Sequence, residues 1–172
     1  MSRISQLLDQ ARDGDDAARQ QAVALLHDDL ARLARSTTAG APSTPEAAAL
    51  VEACYRRVAD GESGLDVNGR SHFLALAGRA MRQLLVERAN ERLAAGTPGD
   101  AAADREARDL VDLDAVLAEL AREDERIVQV VDSRVFGGLT EVETAEALRQ
   151  PLRVVQRCWA RAKERLRTPL IA

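Results

Sequence analysis

The segment spanning residues 139–166 constrains the fold more than any other part of the sequence, because its pattern predicts two helices joined by a short turn. Thr140, followed three positions later by Glu143, forms a capping box that satisfies two backbone N–H groups at the start of a helix. Val142, Ala145 and Leu148 recur on one face of this first helix. We therefore expect a short helix with these three side chains pointing inward.

The second helix follows a break at residues 149–151 and carries two parallel faces. Its apolar face consists of Val155, Trp159, Ala162 and Leu166, and its cationic face of Arg153, Arg157, Arg161 and Arg165. Residues 140–172 contain seven bases and four acids, a net charge of +3, whereas the whole chain carries −4. Arginine suits DNA, because its guanidinium can pair with phosphate or with guanine. The pattern predicts a helix-turn-helix, and a helical hairpin with a solvated charged face is the alternative.

Alanine and leucine are abundant in the rest of the chain, and only 2% of the residues are aromatic. This composition predicts an all-α fold. We expect Asp15 or Asp16 to cap the second helix, Ser71 to cap a long helix, and Gly137 and Gly138 to end another. Upstream of residue 139, the apolar periodicity predicts helices over 2–12, 15–35, 45–60, 71–93, 110–120 and 123–135.

Residues 94–109 contain alanine, glycine and acids without apolar periodicity. Such composition is typical of a linker, so we predict two domains on either side of it. The first, at 1–93, is a helical bundle. The second, at 110–172, is a four-helix domain that contains the helix-turn-helix.

Several classes of protein are disfavoured by what the sequence lacks. No apolar run approaches the roughly 20 residues that span a bilayer, so we expect a cytoplasmic protein that makes no membrane contact. His27 and His72 have no acid or thiol neighbours at ligand spacing, and no glycine-rich loop could cradle phosphate, so we expect no enzyme activity, metal or cofactor. Cys54 and Cys158 are expected to be reduced thiols, buried in the core or half-buried, rather than a disulfide.

Three motifs resemble the extracytoplasmic-function (ECF) family of RNA polymerase sigma factors and occur in the family's order. They are AALVEACYRRV at 48–58, SHFLALAGRAMRQLLVERANERL at 71–93, and VFGGLTEVETAEAL at 135–148, which precedes the arginine-rich helix. The resemblance implies an alternative sigma factor that binds core RNA polymerase and directs promoter recognition and transcription initiation. Its implied partners are core RNA polymerase, promoter DNA and an anti-sigma factor or other regulator.

The resemblance also implies three groups of site residues. The polymerase-binding group is Leu50, Val51, Glu52, Tyr55 and Arg57. The group for the downstream promoter element lies on a loop and helix that hold a separated DNA strand, and it consists of Asn68, Arg70, Arg79 and Arg82. The group for the upstream element is Arg149, Arg153, Gln156, Arg157 and Arg161. We expect the arginines of helix 71–93 to lie on the surface.

The chain departs from the family's pattern mainly where nucleic acid is read. Relatives have glycine, an apolar residue and a serine cap in the turn of the helix-turn-helix, whereas this chain has Arg149, Gln150 and Pro151. Arginine has no cheap access to the left-handed conformation that glycine adopts there. Two hypotheses follow. The first is a working sigma factor with a narrow promoter set, and the second is a sigma-like regulatory interaction protein that binds DNA weakly.

Overall fold

The computed structural model describes residues 3–37, 45–59, 69–96 and 98–171. Within these ranges the chain forms eight α-helices and one five-residue π-helical segment, with no strand, which confirms the predicted all-α fold. None of these helices is long and apolar enough to cross a membrane. The α-helices are α1 (Arg3–Arg12), α2 (Asp16–Thr37), α3 (Pro45–Ala59), α4 (Arg70–Ala95), α5 (Ala101–Glu123), α6 (Glu125–Val131), α7 (Glu141–Leu148) and α8 (Leu152–Ile171), and the π-helical segment is Asp132–Phe136.

The central element is α4, which packs against α3, α5, the π-helical segment and α7. Small residues allow close contact on several of its sides. Gly78 is the clearest case, because a Cβ there would overlap the carbonyl oxygen of Asp132 and lie 2.8 Å from the backbone nitrogen of Gly137. Glycine at this position therefore lets the backbone of the π-helical segment lie directly on α4.

Two clusters of buried side chains form the core. The first cluster is built by α1–α4 and is completed by Phe136 and Leu139 from the C-terminal half of the chain. The second is built by α5, α6 and α8. Leu113 and Leu148 pack against both clusters. The two halves of the chain are thus joined by shared apolar packing as well as by covalent connection.

Two predicted helix starts are confirmed by hydrogen bonds. The capping box at Thr140 is complete, with both its side-chain bonds to Glu143 formed. Asp15 caps α2 by accepting from two backbone N–H groups. The prediction that Ser71 caps α4 is wrong, because α4 begins at Arg70 and its N-cap is Gly69, which has a φ of 90° and no side chain.

The helix α5 begins at Ala101, within the segment predicted to be a linker, rather than near residue 110. The side chain of Asp100 caps it by accepting from two backbone N–H groups of the first turn. Arg92, near the end of α4, adds an ion pair of 2.9 Å to Asp104. Alanine favours helix even without an apolar stripe, which is why periodicity alone missed this start. Only residues 96–100 lie between α4 and α5.

The helix predicted over 123–135 is divided in the structure. Asp124 ends α5 and caps α6, accepting from the backbone N–H of Arg126 at 3.0 Å. After α6 the backbone widens into the π-helical segment, where the N–H of Gly137 donates to the carbonyl of Asp132 at 2.8 Å. A wide turn of this kind shifts the direction of the following side chains. Asp132, the first residue of this segment, is buried against α4 and accepts from Arg82.

Candidate nucleic-acid interface

The turn between α7 and α8 keeps a compact geometry despite its unusual sequence. Arg149 has φ 51° and ψ 44°, and no other non-glycine residue in the described ranges has a positive φ. Its N–H donates to the carbonyl of Glu146 at 3.2 Å, and the N–H of Gln150 donates to that of Ala145 at 3.0 Å. These two bonds form a Schellman motif, which usually has glycine at the left-handed position. The arginine therefore accepts a strained backbone, as the sequence suggested that it would have to.

The predicted inward face of α7 needs a correction. Val142 is 63% exposed, whereas Thr144 is fully buried. The hydroxyl of Thr144 donates to the carbonyl of Thr140 at 2.7 Å, so its burial leaves no unpaired polar group. A pattern of apolar residues does not include threonine, although a threonine whose hydroxyl donates to its own helix can be buried. Ala147 and Leu148 complete the inward face.

The helix α8 starts immediately after Pro151, whose carbonyl accepts from the N–H groups of Val154 and Val155. The predicted apolar face is confirmed for Val155 and Ala162, which are fully buried, and Cys158 lies between them. Burial raises the pKa of the Cys158 thiol. Both cysteines of the chain are free and buried, as expected.

Trp159 is half-buried at the edge of the second cluster and has cations on its ring. The guanidinium carbon of Arg134 lies 4.5 Å from the ring centroid, and the ammonium of Lys163 lies 5.9 Å away. Arg134 also forms an ion pair of 3.6 Å with Glu141 of α7. Arg134 carries no signal in the sequence, because it lies outside the motif at 135–148 and its partners come from two other helices. These contacts fix α8 relative to the π-helical segment and α7.

The arginine stripe on α8 divides into two parts. Arg161 pairs with Glu123 at 3.1 Å and with Glu164 at 3.2 Å, and Arg165 pairs with Glu119 at 2.9 Å and with Glu123 at 3.2 Å. The hydrogen bonds that Arg161 donates to Glu123 raise its pKa above its usual value. The distal half of the stripe is therefore held by carboxylates within the molecule.

The proximal half of the stripe is open. Arg149, Arg153 and Arg157 are exposed and form no hydrogen bond or ion pair with any residue that the structure describes. Gln156 lies between them and donates from Nε2 to Glu141 at 3.2 Å. The turn and the first two turns of α8 thus carry three exposed arginines. A cationic helix end with free guanidinium groups can bind phosphate or a base edge.

The residues predicted for the downstream element have a different environment. Arg82 was expected on the surface, but its side chain is only 12% exposed. It donates from Nε to Asp132 at 2.5 Å and from Nη1 to Asp114 at 2.6 Å. Burial lowers the pKa of Arg82, but its bonds to Asp132 and Asp114 outweigh that effect and raise the pKa overall, which keeps the guanidinium charged.

Two other members of that group, Arg70 and Arg79, are more accessible. Arg70 pairs with the buried Asp29 at 2.9 Å and lies 3.9 Å from Glu143 of α7. Arg79 is exposed. Asn68 lies outside the described residues. Arg70 therefore links the start of α4 to the start of α7.

The residues predicted to bind polymerase are split between core and surface. Leu50 is fully buried and Val51 is 8% exposed, so both lie within the first cluster. Glu52 is exposed, and the ring of Tyr55 lies 4.6 Å from that of His27. Burial raises the pKa of the Tyr55 hydroxyl. Arg57 forms a two-bonded ion pair with Glu87 of α4 at 3.0 and 3.3 Å.

A sequence model for ECF sigma factors matches residues 1–171. No curated protein and no solved structure matches the chain at a significant level. In the described ranges no group of three histidine, cysteine or acidic side chains could hold a metal ion. Because the family match covers essentially the whole sequence and the fold is all-α, the chain belongs to the family of ECF sigma factors.

Proposed function

We propose that this protein is an alternative sigma factor that binds core RNA polymerase and directs promoter recognition. Its family supports a role in transcription initiation, as a transcription regulator rather than an enzyme. We place it in the cytoplasm, where bacterial polymerase acts, and an anti-sigma factor or other regulator is a further proposed partner.

We propose that α7 and α8 form a helix-turn-helix in which α8 enters the major groove. The observation that carries this proposal is the division of the arginine stripe. Arg153 and Arg157 lie at the start of α8 and form no ion pair with the part of the chain that the structure describes, while Arg161 and Arg165 are held by α5. In a helix-turn-helix, the N-terminal residues of the second helix contact base edges. The free cations thus lie where such contacts are made.

The proposed polymerase contact is the exposed side of α3. Leu50 and Val51 lie in the core, which favours a packing role for them over a direct contact. Glu52, Tyr55 and Arg57 retain accessible surface, with Tyr55 beside His27 of α2 and Arg57 paired with Glu87 of α4. We propose these three side chains as the interface with the polymerase.

The experiment that tests the function uses holoenzyme assembled from the full chain and its cognate core polymerase. Fragmented genomic DNA is transcribed, and the start sites are sequenced. We expect a small set of start sites that share an upstream sequence. Arg153→Ala should reduce initiation at them and relax base preference at one position, a loss of about 1–3 kcal/mol of discrimination.

Arg161→Ala is the matched control, because it removes the same charge from the same helix. Its guanidinium is already paired with Glu123 and Glu164, so its loss should weaken all promoters alike and only slightly. A reduction for Arg161→Ala that equals the one for Arg153→Ala would contradict the proposed reading surface.

The second candidate function is a sigma-like interaction protein that binds polymerase or a regulator but reads DNA poorly. The observation that favours it is the burial of Arg82 between two carboxylates. Stable binding to core polymerase without any promoter-specific start site would support this candidate over the first.

A further inference from the structure

Glu141, the first residue of α7, contacts two other elements through its two carboxylate oxygens. Its Oε2 accepts from Nε2 of Gln156 at 3.2 Å, and its Oε1 lies 3.6 Å from Nη1 of Arg134. Each oxygen has its own partner, so the carboxylate is held from two sides. One acid therefore connects α7 with the π-helical segment and with the second turn of α8.

Arg134 ties this acid to the core of the C-terminal half. Its guanidinium lies on the ring of Trp159, which packs against the second cluster. Only 22% of the Arg134 side chain is exposed, and its Nε is buried with no hydrogen-bond partner in the described part of the chain. Because most of the side chain is buried, Arg134 has few other positions available, and it holds Glu141 in a defined place.

A carboxylate next to a carboxamide determines which way the amide faces. Carboxylate oxygens only accept hydrogen bonds, whereas the amide of Gln156 has a donating Nε2 and an accepting Oε1. Turning the amide over would place its Oε1 against Oε2 of Glu141, and two partly or fully negative oxygens repel each other. Glu141 therefore keeps Nε2 towards α7 and Oε1 away from it.

This orientation matters because Gln156 lies on the exposed side of α8, between Arg153 and Arg157 in sequence. Glutamine recognises adenine by accepting from the N6 amino group and donating to N7. Nε2 carries two hydrogens and Glu141 accepts only one of them, so the other remains for N7. In the fixed orientation Oε1 would face O6 of a guanine, which is a second acceptor, whereas a turned amide would donate to that O6.

We propose that Glu141 is a positioning residue that fixes the amide of Gln156 for adenine at one position of the upstream promoter element, while Arg134 and Trp159 hold Glu141 in place. The inference rests on the proposed function, because it names what sets the base preference of the same surface. Loss of the carboxylate frees the amide to turn, and guanine is then accepted at that position.

The test measures base preference with holoenzyme assembled from the full chain and its cognate core polymerase. The template is a promoter library in which the upstream sequence shared by the start sites is randomised. Five proteins are compared: wild type, Glu141→Gln, Gln156→Ala, the double variant that combines these two changes, and Glu146→Gln. Glu141→Gln keeps the length of the side chain, but its amide can donate as well as accept, so it no longer opposes a turned Gln156.

Glu146→Gln is the matched control. It makes the same change at an exposed acid of the same helix that forms no ion pair with the described residues. Any general effect of removing a negative charge near DNA is therefore present in both glutamine variants, and only Glu141→Gln changes the surroundings of Gln156.

We expect wild type to prefer adenine over guanine at one position, and Gln156→Ala to reduce that preference by roughly tenfold. Glu141→Gln should reduce it by about fivefold through a gain of guanine promoters, with total initiation no lower than that of Glu146→Gln. The preference of Glu146→Gln should stay within about twofold of wild type. The double variant should match Gln156→Ala, because Glu141 acts only through Gln156.

An unchanged ratio of adenine to guanine promoters in Glu141→Gln would overturn the inference, and so would a wild type without any preference that depends on Gln156. A lower melting temperature with equal loss of initiation for every base would make Glu141 a residue of the fold and would also overturn it. In these cases the proposed function stands as long as wild type selects an upstream sequence. If no holoenzyme selects any base there, the proposed function and the inference fail together.

Discussion

Arg149 occupies the left-handed position of the turn between α7 and α8, where glycine is the usual residue. The left-handed conformation costs an L-residue about 1–2 kcal/mol, because the Cβ crowds the following carbonyl. The two backbone bonds of the Schellman motif and the packing of α7 and α8 offset this cost. The stored strain makes Arg149 a place where stability can be gained.

Replacing Arg149 with glycine should stabilise the protein by about 0.5–1 kcal/mol, since glycine adopts this conformation freely but loses more entropy on folding. For a chain of 172 residues this corresponds to a rise in melting temperature of roughly 1–4 °C. Thermal unfolding followed by circular dichroism measures it.

Arg149→Ala is the control for that substitution, because it loses the same charge while keeping a Cβ in the left-handed region. The difference in stability between the glycine and alanine variants isolates the backbone strain. Equal melting temperatures for the two variants would show that the strain is absent in solution. If both variants bind duplex DNA more weakly than the wild type, the loss comes from the missing positive charge of Arg149.

The helix α3 has one side in the core and one side exposed to solvent. Its inner side lies in the first cluster, and its outer side carries the exposed ion pairs of Arg56 with Glu52 and of Arg57 with Glu87. Exposed ion pairs contribute about 0–1 kcal/mol to stability, so changes there affect the fold little. A substitution on this side of α3 can therefore weaken polymerase binding without lowering the stability of the fold.

Arg57→Ala should weaken the binding of core polymerase while changing the melting temperature by less than about 2 °C. Glu87→Gln is the matched control, because it breaks the same ion pair and leaves Arg57 in place. Binding titrations with labelled protein measure both variants. If Glu87→Gln weakens polymerase binding as much as Arg57→Ala does, Arg57 acts by positioning α4 rather than by touching polymerase.

Individual helices were predictable to the extent that local signals define them. The capping box at Thr140 and the cap at Asp15 involve residues close in sequence, and both are confirmed. The early start of α5 and the π-helical segment were not predicted. The first depends on alanine propensity, which leaves no periodic pattern, and the second depends on a glycine of α4 that is distant in sequence.

The apolar packing shared by the two halves couples their unfolding. Phe136 and Leu139 belong to the first cluster although they follow the second cluster's helices in sequence. We therefore expect a single unfolding transition in denaturant. Trp159 is the only tryptophan and reports on the second cluster, while far-UV circular dichroism reports on all helices.

The two probes should give coincident midpoints within about 0.2 M urea, because loss of one cluster exposes the face of the other. Tryptophan fluorescence that changes well before or after the helical signal would instead support two domains that fold independently about 94–109. Limited proteolysis complements this measurement, and we expect the first cut at residues 96–100 because helix begins at Ala101.

The relation between the halves could not be predicted from sequence for a physical reason. Helical spacing places the arginines of α4 on its polar face, which is expected to be exposed. No residue near Arg82 in the sequence indicates that it has a carboxylate partner. Asp114 and Asp132 reach it only through the fold, from 32 and 50 residues away. The free arginines at the start of α8 were predictable, because their positions follow from helical spacing alone.

The burial of the Arg82–Asp132 pair also decides how the molecule responds to salt. Dissolved ions screen exposed charges more than buried ones, so added salt weakens the pairs of Arg161 and Arg165 with α5 well before it weakens that of Arg82. The contact between α4 and the π-helical segment therefore persists at an ionic strength at which the last turns of α8 have lost their ion pairs with α5.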